Sequence, residues 1–461
     1  MKAHTLHFAG MFLPLALTLF CSCSKEPVHD TITIDDAPFD MPPIEMPSIP
    51  ARTVSIADYG AVAGGVIPCT QAIARAIDEV SSKGGGHVVV PDGTWLTGPI
   101  HLRSHIDLHL ADDAVLVFTD NPADYLPAVQ VSWEGMECMN YSPLIYAFDC
   151  EDVAITGHGR LQPRMDFWRT WFDRPQGHLE ASQRLYHMAA TGVPVGERDM
   201  TVQGDEHMRP HLIHLNRCRR VLLEDFTIRE SPFWTIHLLL CEDVVARHLD
   251  VKAHGHNNDG IDLEMTQRAL VEECIFDQGD DAVVIKSGRN QDAWRLHTPT
   301  ANVVVRNCTV RKGHTLLGVG SEISGGVHNI WMHHMECPDD IRRLFFVKTN
   351  HRRGGVVANV ILEDVDVNHV LSVMEIDTDV LYQWRDMVPT YDTAITHIDS
   401  IVLRRVHCQT ADAVYDLKGD VRDPIGKVIL DSIHVDSVRQ FVGRVENAIT
   451  PTLDVTVTVT P

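Results

Sequence analysis

Eight stretches of the chain share one alternation of apolar and polar positions. They are VLLEDFTI (221–228), VVARHLDV (244–251), ALVEECIF (269–276), VVVRNCTV (303–310), IWMHHMEC (330–337), VILEDVDV (360–367), IVLRRVHC (401–408) and VILDSIHV (428–435). Places one, three, six and eight are apolar throughout, and places four and five are polar. Side chains alternate faces along a strand, so the change of phase across the polar pair predicts a strand, a bend and a second strand. A unit this short cannot bury its own apolar side, whereas stacked copies can. Stacking would turn the sixth place into an internal column of Phe226, Leu249, Cys274, Cys308, Met335, Val365, Val406 and Ile433. The predicted fold class is therefore all-β, a right-handed parallel β-helix with coils about 4.8 Å apart. Hairpin signals such as Asn-Gly, which an antiparallel sandwich would need between its strands, are missing.

Upstream of the repeats the pattern changes. In TQAIARAIDEVSSKGGG (70–86), Ala72, Ile73, Ala76, Ile77 and Val80 recur at helical spacing and three glycines follow, which predicts a short helix capping the solenoid. Residues 1–23 read as a processing signal: Lys2 and His4 precede the apolar run MFLPLALTLF (11–20), too short to span a bilayer, and CSCSKEP follows. This resembles a bacterial lipoprotein signal with Cys23 lipidated, Cys21 being the alternative, and an ordinary secretory signal the plainer reading. The expectation is an exported protein, lipid-anchored in a bacterial outer membrane and facing periplasm or medium. Residues 24–50, rich in Pro and acidic side chains, read as an extended tether before a catalytic body over 51–461. The segment 162–210 interrupts the repeat; its Trp168, Trp171 and Phe172 suit either a sugar-stacking wall or a cap packed on the solenoid.

A formal net charge of −24 argues against a nucleic-acid partner. Nine of the eleven cysteines lie beyond the signal, scattered and without a CxxC spacing, and read as buried free thiols.

The second strands align as well: NNDGIDLE (257–264), DDAVVIKSG (280–288), HTLLGVGSE (314–322), RRLFFVKTN (342–350) and LSVMEIDTD (371–379). In a β-helix this places Asp259, Asp280 and Asp281, His314 and the arginines 342–343 along one strip, with Lys286 and Lys348 at matching places. Turn residues with neutralising lysines would explain any one of these residues, but hardly the whole strip in register. Carboxylates held together can divide the roles of acid and base, as glycosidic cleavage requires, and nearby Lys and His suit an acidic sugar.

The segments NNDGID (257–262), GDDAVVIKSG (279–288), GHTLLGVGSE (313–322) and VKTNHRRGG (347–355) resemble the polygalacturonase family of glycoside hydrolases, family 28. The resemblance runs from about Ile56 to the last strands. It implies a pectin-lyase-like β-helix without a cofactor that hydrolyses pectic α-linked galacturonic acid bonds with inversion. It makes Asp280 the general acid and Asp259 and Asp281 the carboxylates that activate water. Asn257 and His314 would hold substrate or tune those carboxylates, with Lys348 on the sugar carboxylate and Lys286 also toward substrate. GSEISGGV (320–327), SPFWTIH (231–237) and 133–150 resemble the bacterial exo-acting branch. Two positions depart: Phe346 stands where the family usually has Arg, and Thr315 where it has Gly. Arg342, Arg343, Arg352 or Arg353 are the candidate substitutes. The alternatives are a calcium-dependent β-helix lyase and a non-catalytic carbohydrate-binding β-helix.

Overall fold

The computed structural model describes Met1 and residues 29–381 and 393–459; the signal segment and Cys23 lie outside the described residues. The chain winds into a parallel β-helix of three strands per coil. Ile213–Asn216, Arg219–Glu224 and Thr227–Arg229 form one coil, and Ile236–Leu239, Glu242–Arg247 and Asp250–Ala253 form the next. Each strand pairs in parallel with its counterpart one coil on. Toward the C-terminus the second and third strands and the first strand of the following coil run together without loops, as in Val327–Lys348 and Val356–Asp377.

The bend between places three and six has one cause in all eight repeats. The fifth-place residues Asp225, His248, Glu273, Asn307, His334, Asp364, Arg405 and Ser432 all adopt left-handed backbone, with φ between +51° and +73°. A single left-handed residue swings the chain round, so that the sixth place again faces inward. The sixth-place column is buried along its whole length. At its first position Phe226 is completely enclosed, and Phe226→Ala is expected to lower stability by about 3–5 kcal/mol, measured by chemical denaturation.

The helix Thr70–Ser82 caps the N-terminal end and buries Ala72, Ile73, Ala76, Ile77 and Val80, the five residues of its periodic face. The other helices were not expected. Gln176–Ala190 lies within the 162–210 segment and buries Ala181, Leu185 and Ala189, a four-residue spacing visible in the sequence. Asn290–Leu296 is a shorter insertion after a cleft strand.

Two expectations are corrected and one open alternative is decided. Residues 29–50 are not a free tether: Ile34 and Ile44 are buried against Val245, Leu270, Val304, Trp331 and Ile361. Those five are the second-place residues of successive repeats, an outward apolar row in register that needs a cover, and the arm supplies it. Antiparallel hairpin pairing does occur at Val129–Trp133 with Met136–Asn140, turning on Glu134 and Gly135, both at positive φ. Finally, Trp168 and Trp171 belong to the solenoid core cluster, at 0% and 6% exposure, so the cap reading holds for them. Phe172 is half-buried beneath the guanidinium of Arg209. The cysteines at the nine positions are free, and all but Cys150 are buried.

Candidate active site

All seven residues singled out as catalytic or substrate-binding line one cleft of about 510 Å³, together with Glu134, Arg174, Trp234, His256, Ser321, Glu322, Arg342 and Arg343. Coil register brings them there. The amide of Asp280 donates to Asn258 O, that of His314 to Asp280 O, and that of Arg343 to His314 O. The amide of Gly260 donates to Asp281 O, which sets Asp259 and Asp281 one above the other on adjoining coils. Lys286 pairs with Glu264 one coil back, and Lys348 with Gly320 and Asp377.

The three carboxyls differ in their surroundings. Burial would push Asp280 up, but the hydrogen bond from His314 and the charges of Lys348, His314 and Lys286 outweigh it and hold it at about 2. His314 Nδ1 lies 3.0 Å from Asp280 Oδ1, and its Nε2 faces Arg342 at 3.3 Å. A carboxylate can only accept, so Nδ1 carries the proton donated to Asp280 Oδ1. Asp281 accepts from Lys348 Nζ at 2.7 Å. Asp259 is the opposite case: burial, then the neighbouring Asp262 and Asp280, raise it well above the carboxylate range. Asp262 beside it is likewise raised, by its burial. The surroundings thus favour the ionised form of Asp280 and disfavour that of Asp259.

Lys286 lines the cleft, yet its ammonium is engaged from below. It sits 3.0 Å from Glu322 Oε2, 3.8 Å from Asp262 Oδ1 and 4.4 Å from the centre of the Trp234 ring. Its part is to hold the cleft floor. Asn257, at φ +58°, accepts from Arg209 Nη2 at 3.1 Å, and the same guanidinium donates to His256 O at 2.6 Å. Arg209 is thereby a positioning residue for the Asn257 turn, with no motif to signal it. Glu134 reaches the cleft because Arg289 clamps its hairpin: Arg289 Nε donates to Glu134 O at 2.8 Å and its amide to Gly135 O at 2.9 Å. Glu322, buried between Lys286 and Arg289, is held well below the carboxylate range because those charges outweigh its burial.

The sequence profile of Glycosyl hydrolases family 28 matches residues 196–450. The chain belongs to this family. An exopolygalacturonase of Thermotoga maritima is 34% identical over 90% of this chain and 93% of its own, with a TM-score of 0.84. An exo-poly-alpha-D-galacturonosidase of Dickeya chrysanthemi is 26% identical over 60% of this chain, and a Vitis vinifera protein named a probable polygalacturonase is 26% identical over 67%. The matches span 49% and 60% of those two relatives' own length.

Within the family 28 frame, the Phe346 departure has a structural counterpart. Phe346 is buried, and the Arg343 guanidinium lies 4.6 Å over its ring, with Lys348 Nζ at 5.7 Å. Arg342 and Arg343 both line the cleft; Arg353 is buried and donates to Asn290 Oδ1 instead. Of the four candidate substitutes, the two at 342–343 therefore stand where a carboxylate could meet them. Thr315 is buried and its carbonyl accepts from Ala282 N, a backbone contact independent of its side chain.

Proposed function

We propose that this family 28 chain hydrolyses α-linked galacturonic acid bonds of pectic poly- or oligosaccharides from a chain end, with inversion. The observation that carries the reading is the set Asp259, Asp280 and Asp281 in one cleft, with Lys348, Arg342 and Arg343 beside them. Asp280 is the acid that protonates the leaving oxygen, and Asp259 and Asp281 activate the attacking water. Asp280 needs a proton for that role, and substrate supplies the condition. A sugar carboxylate competing for Lys348 cancels part of the positive charge that keeps Asp280 ionised, so burial then dominates and its proton affinity rises. The exo mode is supported by the 34% identity to the exopolygalacturonase of Thermotoga maritima over 90% of this chain, while the clamped hairpin and the 162–210 segment add Glu134 and Arg174 to the cleft lining.

Incubation with oligogalacturonides and with rhamnogalacturonan fragments, followed by chromatography, tests the reading. Galacturonic acid as the sole early product is expected. A ladder of oligomers would sink the exo mode, and unsaturated sugars absorbing near the enone band would sink hydrolysis in favour of a lyase. Arg343→Ala is expected to raise KM for oligogalacturonides about 10–100-fold with kcat little changed, since it removes a charged contact made in ground and transition states alike. Export and anchoring at Cys23 belong to the same proposal; palmitate labelling that is lost in Cys23→Ser checks it.

A further inference from the structure

We propose that His211, His214 and His237 form a binding site for one transition-metal ion of the Zn²⁺, Ni²⁺ or Co²⁺ class beneath the cleft floor. The proposal is independent of the hydrolase reading. His214 and His237 occupy one register position on consecutive coils, and Asp262 follows on the next. His211 enters from the turn just before its strand. One ligand nitrogen from each of the three rings lies within 4.8 Å of the others. His214 Nδ1 and His237 Nδ1 are 2.9 Å apart. Two imidazole nitrogens bound to one ion at about 2.0–2.1 Å stand about 3.0–3.4 Å from each other, so this pair is close to ligating separation.

The far side of His237 is arranged as such a site requires. Its Nε2 lies 2.8 Å from Glu264 Oε2, the carboxylate that orients a ligating imidazole and offsets the charge of the ion. All three rings are 0–1% exposed. Among the described residues, His211 Nε2 and His214 Nε2 find no hydrogen-bond partner. A purely hydrogen-bonded cluster satisfies the Nδ1 pair but leaves His211 Nε2 bare in the interior, and an ion shared by that nitrogen and the two Nδ1 atoms would satisfy it. The walls are aromatic: Tyr146 stacks on His214, Phe233 and Trp234 pack on His211, and Trp234 stands edge-on to His237. Nitrogen ligands in an apolar cage select Zn²⁺, Ni²⁺ or Co²⁺ over Ca²⁺ or Mg²⁺, which take oxygen. The ion would tie two coils together under Trp234, whose ring contacts the Lys286 ammonium of the cleft.

An exposed group, His407, His434 and Asp436, provides the internal control. There His407 already faces Asp366 and Asp436, and His434 faces Asp436. The test uses the full mature chain, expressed with zinc and counted for metal by mass spectrometry. The chain is then stripped with dipicolinate and titrated with Zn²⁺ and Co²⁺ by calorimetry and visible absorption. One ion per chain is expected, with nitrogen-ligand Co²⁺ bands and a higher Tm on loading. His214→Gln and His237→Gln should lose the ion, and Glu264→Gln should weaken it about 10–100-fold. The double variant His407→Gln/His434→Gln should bind as before. A wild-type chain that takes no ion overturns the proposal, as does binding unchanged in His214→Gln and His237→Gln. If the buried variants fail to fold, the surface double variant decides: retained bands and stoichiometry support the buried site, and their loss overturns it.

Discussion

Asp280→Asn is expected to lower kcat on oligogalacturonides by about 10³-fold or more while KM changes little. An amide keeps the shape and the contact with His314 but has no proton to give the leaving oxygen, and general acid catalysis of this kind contributes about 10²–10⁴-fold. The same variant reports on how the acid is charged. Asp280 sits at about 2 in the free protein because His314 and Lys348 outweigh its burial. A ligand that neutralises Lys348 raises that value, so binding must take up a proton and tighten as pH falls. Calorimetry of a galacturonide in buffers of different ionisation enthalpy should show net uptake in the wild type and none in Asp280→Asn. Unchanged turnover in the variant, with binding intact, would favour the carbohydrate-binding reading over an enzyme.

Asp259→Asn is expected to remove activity by a similar factor and at the same time to stabilise the protein at neutral pH. Burial and two neighbouring carboxyls raise Asp259 above its unfolded value. A group raised in this way adds stability only while protonated. That contribution is full below the unfolded carboxylate value of about 3.9, and it is lost as pH rises through the folded value. Above the unfolded value the wild type holds an extra proton, and above the folded value an unfavourable buried charge, whereas the amide holds neither. The expected gain is about 1 kcal/mol or more, read as a higher Tm at pH 7 that vanishes near pH 3. Loss of stability at pH 7 would mean that Asp259 is structural, held by contacts that an amide cannot keep.

Much of the fold and of the cleft is legible in the repeat. Alternation with a phase shift specifies the coil. Stacking of coils specifies the strip Asp259, Asp280–Asp281, His314 and Arg342–Arg343, because register in a parallel β-helix is one-dimensional arithmetic on a repeat. The Gln176–Ala190 helix is harder to see, although Ala181, Leu185 and Ala189 carry its period. A long segment breaking a β-repeat draws attention to its aromatics first, and Trp168 and Trp171 prove to be core. Glu134, Arg209 and Glu322 have no such signal, because they reach the site from a hairpin, a turn and a strand end whose meeting depends on the complete solenoid.

Apolar periodicity is enough to bring the strip from Asp259 to Arg343 into one cleft, since it sets which residues face inward and stacking aligns what remains. The role of each one there is a property of the folded chain. Lys286 points at the cleft in the alignment, yet Glu322, Asp262 and the Trp234 face hold its charge in the floor. Asp259 and Asp280 look equivalent in a string of letters, yet the fold raises the proton affinity of one and lowers that of the other. One is buried among carboxyls, and the other lies against His314 and Lys348. Likewise the outward apolar row from Leu222 to Val402 is present in the repeat, but only the folded chain shows residues 29–50 lying across it. Periodicity specifies direction, whereas charge state and cover depend on every neighbour within a few ångströms, and those neighbours come from distant parts of the chain.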